Sequence, residues 1–291
     1  MRHTSRPLPE PCVQITEFTD PSCPWAYSAE PIRQRISWLY EGHVRWEPRM
    51  VVLAASAAEQ AEKGLTPEWL TGNLERIARE HRMPIDTRPR PRVPGSRDAC
   101  LAVVAARTHS DHGTTRKLLR RLRIRYFAGE MLDELKTIRA AAADAGIAGE
   151  LRGWMDDAAV EAALEADRRV ARAPIPAAKV LDHKLANWSG GRRYSCPSYE
   201  ITRLADGVKI AVPGFQPFAV YDTILANLVP GLERREPPDG VGDVLAWRGF
   251  PLSTQEVAAV CDIPFDAARE ELGRVATQTY VGADGFWELR R

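Results

Sequence analysis

The run Val13-Gln14-Ile15-Thr16-Glu17-Phe18, followed closely by Ser22-Cys23-Pro24-Trp25-Ala26, constrains this chain more than any other feature. It reads as a strand, a short loop and a helix, with Cys23 at the turn. Pro24 suits the first helical position, where a missing N–H costs nothing. A thiol there meets unpaired backbone N–H groups and the positive end of the helix dipole, which favours its thiolate. The pattern leads one to expect a second cysteine after a two-residue spacing, but position 26 is Ala. The site is half of a dithiol pair, and its chemistry turns on what completes it.

At 291 residues the chain exceeds one minimal domain, and 44% hydrophobic residues suffice for a sizeable core. A net charge of +1 gives no bulk attraction to nucleic acid or membrane. No apolar run is long enough to span a bilayer. The first eleven residues lack the apolar centre of a secretion signal, so a cytoplasmic location is expected. The cysteines (Cys12, Cys23, Cys100, Cys196 and Cys261) are odd in number and widely spaced, which suits a reducing compartment rather than a disulfide framework.

Residues 1–12 read as an arm. A strand over 13–18, a helix over 24–40 and a strand over 44–53 form a β-α-β unit, with Pro48 demanding an edge or a bulge. Helices follow to about residue 149, interrupted by the Pro-rich stretch 88–95, and Thr66-Pro67-Glu68 opens one of them. Ser96 opens another. Further helices are expected over 156–173 and 177–188, then a turn at 189–191. A hairpin over 199–212 and a helix over 218–228 follow. This β-α-β, helical block, β-β-α order is that of a thioredoxin fold with a helical insertion. The charged, Pro-rich stretch 233–240 is a linker. Beyond it, three short helices and a hairpin resemble a winged helix, with Trp247, Phe250, Phe286 and Trp287 expected in its core. The segment 253–277 carries five acids against two arginines, unlike a phosphate-binding surface. A packing or dimerisation role fits it better than nucleic-acid binding, and a homodimer is one expected arrangement.

The second chemical signal is Tyr194-Ser195-Cys196-Pro197-Ser198-Tyr199, just before the hairpin. In a thioredoxin fold this loop carries a cis-proline facing the helix-start cysteine. Pro197 then presents substrate-docking backbone, and Cys196 falls near Cys23. Either Cys196 replaces the missing resolving cysteine or it is a small apolar residue that fits. Arg116, Lys117, Arg120, Arg121, Arg123 and Arg125 read as a solvated helix face opposite Leu118, Leu119 and Leu122, with a ligand-carboxylate site as the alternative. The Arg88/Arg90/Arg92 loop reads as exposed, with a lid as the alternative. His109 and His112 lack the partners a metal site needs. Cys12 reads as an arm residue, and Cys100 and Cys261 as core residues.

Asp20-Pro21-Ser22-Cys23-Pro24-Trp25, the insertion, Cys196-Pro197-Ser198 and Gly214-Phe215-Gln216-Pro217-Phe218 together resemble the DsbA-like thioredoxin-fold oxidoreductases, particularly their cytoplasmic FrnE-like branch. The resemblance covers about residues 13–229. It implies an α/β fold divided into a thioredoxin-like domain (13–56 and 150–232), a helical insertion (57–149) and a winged-helix-like unit (240–291). It implies a thiol–disulfide oxidoreductase with Cys23 and Cys196 as catalytic residues and Pro24, Trp25, Pro197 and Ser198 at the substrate. The family's second cysteine is Ala26 here, so three outcomes stay open. Cys23 acts as a monothiol resolved by a small thiol of glutathione or mycothiol type, or Cys196 resolves it. Otherwise the site binds a thiol cofactor, as in the similar kappa-type glutathione transferases and hydroxychromene-carboxylate isomerases. A non-catalytic binding or regulatory role is the remaining class. No metal and no tightly bound cofactor is expected; the partners expected are protein or small-molecule disulfides and thiols.

Overall fold

A computed structural model of the chain describes residues 9–188 and 190–290. Most of the expected arm, residues 1–8, and Ser189 of the expected turn lie outside them. Strand β1 (Val13–Thr19) leads into helices α1 (Pro24–Ser28) and α2 (Glu30–Leu39), then strand β2 (Val44–Met50). The helix expected over 24–40 is thus two, joined at Ala29 ahead of Pro31, whose ring and missing N–H break the ladder. The second strand stops at Met50 rather than Leu53, because Val52 takes φ +55° and turns the chain.

Helices α3 (Ala57–Glu62), α4 (Pro67–His81), α5 (Arg97–His109), α6 (His112–Phe127), α7 (Leu135–Ala145), α8 (Leu151–Met155), α9 (Ala158–Ala171) and α10 (Pro176–Lys179) fill the crossover. Thr66 caps α4 by accepting from the Trp69 amide at 3.2 Å. Ala177–Trp188 is not one helix. After a 3-10 turn, β3 (Ala186–Trp188) pairs with β4 (Gly191–Arg193). Strands β5 (Ser198–Arg203) and β6 (Lys209–Val212) complete the main sheet, and α11 (Phe218–Leu228) covers it. The order is β2-β1-β5-β6, with only β1 and β2 parallel. Pro48 therefore lies on an edge strand, where no second neighbour needs its N–H. Val13, Ile15, Tyr199 and Ile201 pack against Ile36 of α2, Tyr40 at its C-cap, and Tyr221 and Leu225 of α11. A larger cluster joins α4 to α9.

The C-terminal unit comprises α12 (Val241–Arg248), β7 (Leu252–Ser253), α13 (Thr254–Cys261), α14 (Phe265–Val275), β8 (Ala276–Val281) and β9 (Asp284–Leu289), with sheet order β7-β9-β8. Strand β7 has only two residues, too few for an alternation to show. Trp287 joins the unit's core, with Trp247 and Phe250 packed beside it and Trp38 supplied by α2. Phe286 points the other way and joins the cluster of the helical block.

The basic stretch on α6 corrects the sequence reading. Leu118, Leu119 and Leu122 are buried, but so are Arg120 and Arg123. Arg123 reaches Glu30 at 2.5 Å and Glu17 at 3.0 Å; Arg33 pairs with Glu17 and, at 2.6 Å, with Glu30. Arg120 reaches Glu256 of α13 at 2.5 Å. These carboxylates come from β1, α2 and α13, so no local spacing announces them. Arg90 is also buried, its guanidinium 4.4 Å from the Tyr126 ring, whereas Arg88 is exposed.

Candidate active site

Strand β1 ends beside Asp20, a fully buried carboxylate that organises the turn. It accepts from the Ser22 amide at 2.8 Å and the Ser22 hydroxyl at 2.6 Å, an Asx-type turn. It also accepts from the Leu53 amide at 2.8 Å and the Ser96 hydroxyl at 2.7 Å. Ser96 thus spends its hydroxyl on Asp20 and makes no side-chain cap for α5. Val52 holds a left-handed backbone costing about 1–3 kcal/mol, and the turn brings the Leu53 N–H onto Asp20. Donors from three parts of the chain converge on this one carboxylate.

Cys23 is the N-cap of α1, extended at φ −77° and ψ 114°, with Pro24 at the first helical turn. Its sulfur is buried and lies 3.2 Å from the Cys196 carbonyl, which accepts from the thiol form. The Cys196–Pro197 peptide is cis. Burial pushes the Cys23 thiol up and Asp20 adds to this. A hydrogen bond from the Cys196 side chain and the Ala26 and Trp25 amides outweigh both, and the net direction is down. Since the carbonyl contact favours the neutral thiol, these donors are what carry the thiolate. Cys196 moves oppositely: burial, its hydrogen bond to Cys23 and the Cys23 charge push it well up, against Arg193. Of the two thiols, Cys196 holds the proton.

Ala26 is fully buried one turn into the helix, so Cys196 approaches Cys23 from the loop before β5 instead. Trp25 forms a rim, edge-on to His81 at 5.0 Å and Phe215 at 5.9 Å, with the Arg76 guanidinium 5.4 Å from its ring. Burial lowers His81 from its ordinary value, favouring the neutral ring. Ser198 turns its hydroxyl into the fold. It is fully buried, accepts from the Gly214 amide at 3.0 Å and shares a hydrogen bond with Ser195. Tyr126, absent from the sequence reading, is fully buried nearby and pushed up to about 12 by burial. A cavity of about 560 Å³ opens beside Ser22, Pro24 and Tyr126, between Trp69 and Trp188, with Lys63, Arg172 and Arg193 on its wall.

The remaining cysteines stand apart from this pair. Cys100 is fully buried 3.5 Å from Asp20, and burial pushes its thiol well up. Cys261 is half-buried rather than a core residue, with its thiol pushed up to about 11 by burial. Cys12 is half-buried beside the His43 carbonyl. Among the described residues no group of His, Cys, Asp and Glu is arranged to hold a metal ion, and no helix is long and apolar enough to cross a membrane.

A DsbA-like thioredoxin domain matches residues 14–174. Among curated proteins none matches the sequence. Three solved structures share the fold. A candidate protein disulfide isomerase from Nitrosomonas europaea is 13% identical, with TM-score 0.55 over 74% of this chain and 98% of that one. A candidate DsbA oxidoreductase from Streptomyces coelicolor is 18% identical, with TM-score 0.54 over 78% and 100%. The cytosolic disulfide reductase DsbM from Pseudomonas aeruginosa is 17% identical, with TM-score 0.52 over 74% and 100%.

Proposed function

Because the chain belongs to the DsbA-like thioredoxin-domain family, an enzyme family of thiol–disulfide oxidoreductases, we propose that Cys23 is its nucleophile and Cys196 its resolving thiol. The observation that carries this is the cis Cys196–Pro197 loop, which sets the Cys196 carbonyl 3.2 Å from the Cys23 sulfur at the helix start, with the Cys23 thiol lowered and the Cys196 thiol raised. The Cys23 thiolate attacks one sulfur of a substrate disulfide. A Cys23–substrate disulfide forms and the other substrate sulfur leaves as a thiolate. Part of what raises Cys196 is the charge on Cys23, and that charge vanishes in the mixed disulfide. Cys196 then loses its proton and attacks the Cys23 sulfur. The second substrate thiolate leaves, and a Cys23–Cys196 disulfide remains. The substrate gains two electrons and the pair loses two; an external thiol restores it. Burial still opposes deprotonation of Cys196, so a small thiol competes with it for the mixed disulfide.

The cations on the wall beside Pro24 favour an acidic small thiol, of glutathione or mycothiol type, or an acidic peptide disulfide. Trp25 serves as rim, and Pro24 and Pro197 as the walls of the docking site. The odd number and wide spacing of the five cysteines fit a reducing, cytoplasmic setting. The proposed division keeps 13–56 and 150–232 as the thioredoxin-like domain, 57–149 as the insertion and 240–291 as a winged-helix-like unit. The unit's helix–strand–helix–helix–strand–strand order supports the last assignment. Its acids and its seat on α2 support packing or self-association over nucleic-acid binding.

Peptide mass mapping without reductant, after exposure to a small-molecule disulfide, tests the chemistry. A Cys23–Cys196 crosslink is expected. A lasting adduct on Cys23 alone would replace self-resolution with monothiol chemistry or a thiol-dependent transferase. An unmodified Cys23 would leave a non-catalytic binding role.

A further inference from the structure

We propose that the cavity between α2, α6 and the C-terminal unit is a binding site for a small phosphate-bearing anion. This cavity of about 250 Å³ is lined by Arg33, Arg116, Lys117, Arg120, Arg123 and Arg248, against the lining carboxylates Glu17 and Glu30. Internal pairing uses up only half of the cations. Glu17 and Glu30 neutralise Arg33 and Arg123, and Glu256 neutralises Arg120. No carboxylate is left for the others: among the described residues Arg116, Lys117 and Arg248 have no ion-pair partner.

Arg248 shows the imbalance most directly. Its guanidinium lies 4.9 Å from the Trp247 and Phe250 rings, and its Nε is buried with no acceptor. The Nε atoms of Arg33, Arg120 and Arg123 are likewise buried and unpartnered. Burial and the neighbouring guanidiniums push Arg248 down to about 9, and Arg116 down to about 10. Cations brought together this way repel one another, and an anion among them converts the repulsion into attraction.

A dianionic tetrahedral group suits the arrangement better than a carboxylate, because it accepts from several guanidiniums on different elements at once. A single water needs only about 10–15 Å³ of such space, so there is room beyond a bare ion. Trp46, Leu119 and Phe250 give an apolar wall for a small organic body. The site is remote in chemistry from the thiol pair and does not depend on it. An anion held by Arg116 of α6 and Arg248 at the end of α12 also ties the C-terminal unit to the core.

Thermal unfolding and titration calorimetry of the full chain, at fixed pH and chloride-matched ionic strength, test the site with inorganic phosphate and glycerol 3-phosphate. Millimolar phosphate is expected to raise Tm by about 3 °C or more over matched chloride. Arg248→Gln weakens binding about tenfold. Arg116→Gln combined with Arg248→Gln abolishes it, while the Tm without phosphate holds or rises as repulsion is relieved. Tighter binding of glycerol 3-phosphate assigns the site to an ester, and equal binding assigns it to the free ion. No rise beyond chloride for either probe overturns the proposal. So does an unchanged rise in Arg248→Gln or the double variant, which would place binding elsewhere on the surface.

Discussion

The N-terminal ends of α1 and α2 treat charge in opposite ways. At the start of α1 the Cys23 thiolate is favoured by hydrogen bonds, from Cys196 and the helix amides, while the nearby charge of Asp20 works against it. Along α2, Glu30 is held well below the usual carboxylate range. Burial opposes its charge, but Arg33, Arg123 and Arg120 prevail. The first end keeps an anion reactive by holding it with donors that leave the sulfur free to attack. The second locks its ions to one another and to α13. The lesson is that reactivity and stability are separable on one helical segment, and each is open to its own substitution.

The largest expected effect is on the reactive end. Cys23→Ser should abolish reduction of a small-molecule disulfide by more than about 10³-fold while leaving thermal unfolding nearly unchanged. In the parent protein the pH–rate profile for alkylation of Cys23 should have its midpoint below about 8.5. An ordinary midpoint would erase the contrast between the two ends.

On the locked end, Arg123→Ala removes one of the two guanidiniums that Glu17 and Glu30 share, leaving Arg33, and should cost about 3 kcal/mol in denaturant unfolding. Activity below the unfolding transition should persist. If stability barely moved, the network would be incidental.

Acid should find the same network. Glu30 has a folded-state pKa below its unfolded value of about 4.3, so its contribution is fully present above that pH and is lost as pH falls through the folded value. Thermal scans should show stability dropping below about pH 4.5, with a shallower drop in Glu30→Gln. An unchanged slope would remove Glu30 from the account.

A smaller shift is expected from Asp20→Asn. Removing its charge should lower the Cys23 alkylation midpoint further, because Asp20 raises it. The disturbed donors should cost about 1–3 kcal/mol. An upward shift would mean that the turn geometry, not the charge, governs the thiol. Smallest of all, Arg274→Ala removes an exposed i,i+4 pair with Glu270 and should change stability by less than about 0.5 kcal/mol.

Much of the fold was legible because it rests on local rules. The run Val13–Phe18 identified β1, and the Pro24 and Thr66-Pro67 starts located α1 and α4. The misreadings have local causes too. Pro31 sits inside an otherwise continuous helical pattern, the three-residue β3 is too short to interrupt one, and Phe286 lies on the far face of its hairpin.

The sequence by itself determined the β-α-β start, the cysteine at a helix N-terminus, the loss of its usual partner at Ala26 and the proline after Cys196. Each is a matter of neighbouring residues and backbone propensity. Only the tertiary structure decided that Asp20 gathers Ser22, Leu53 and Ser96, that Ser198 faces Gly214, and that Arg120 and Arg123 are buried ions. Those facts depend on groups tens to hundreds of residues apart arriving at one place. A charged side chain reads as solvated until its partners come to it, and burying it becomes affordable only when they do.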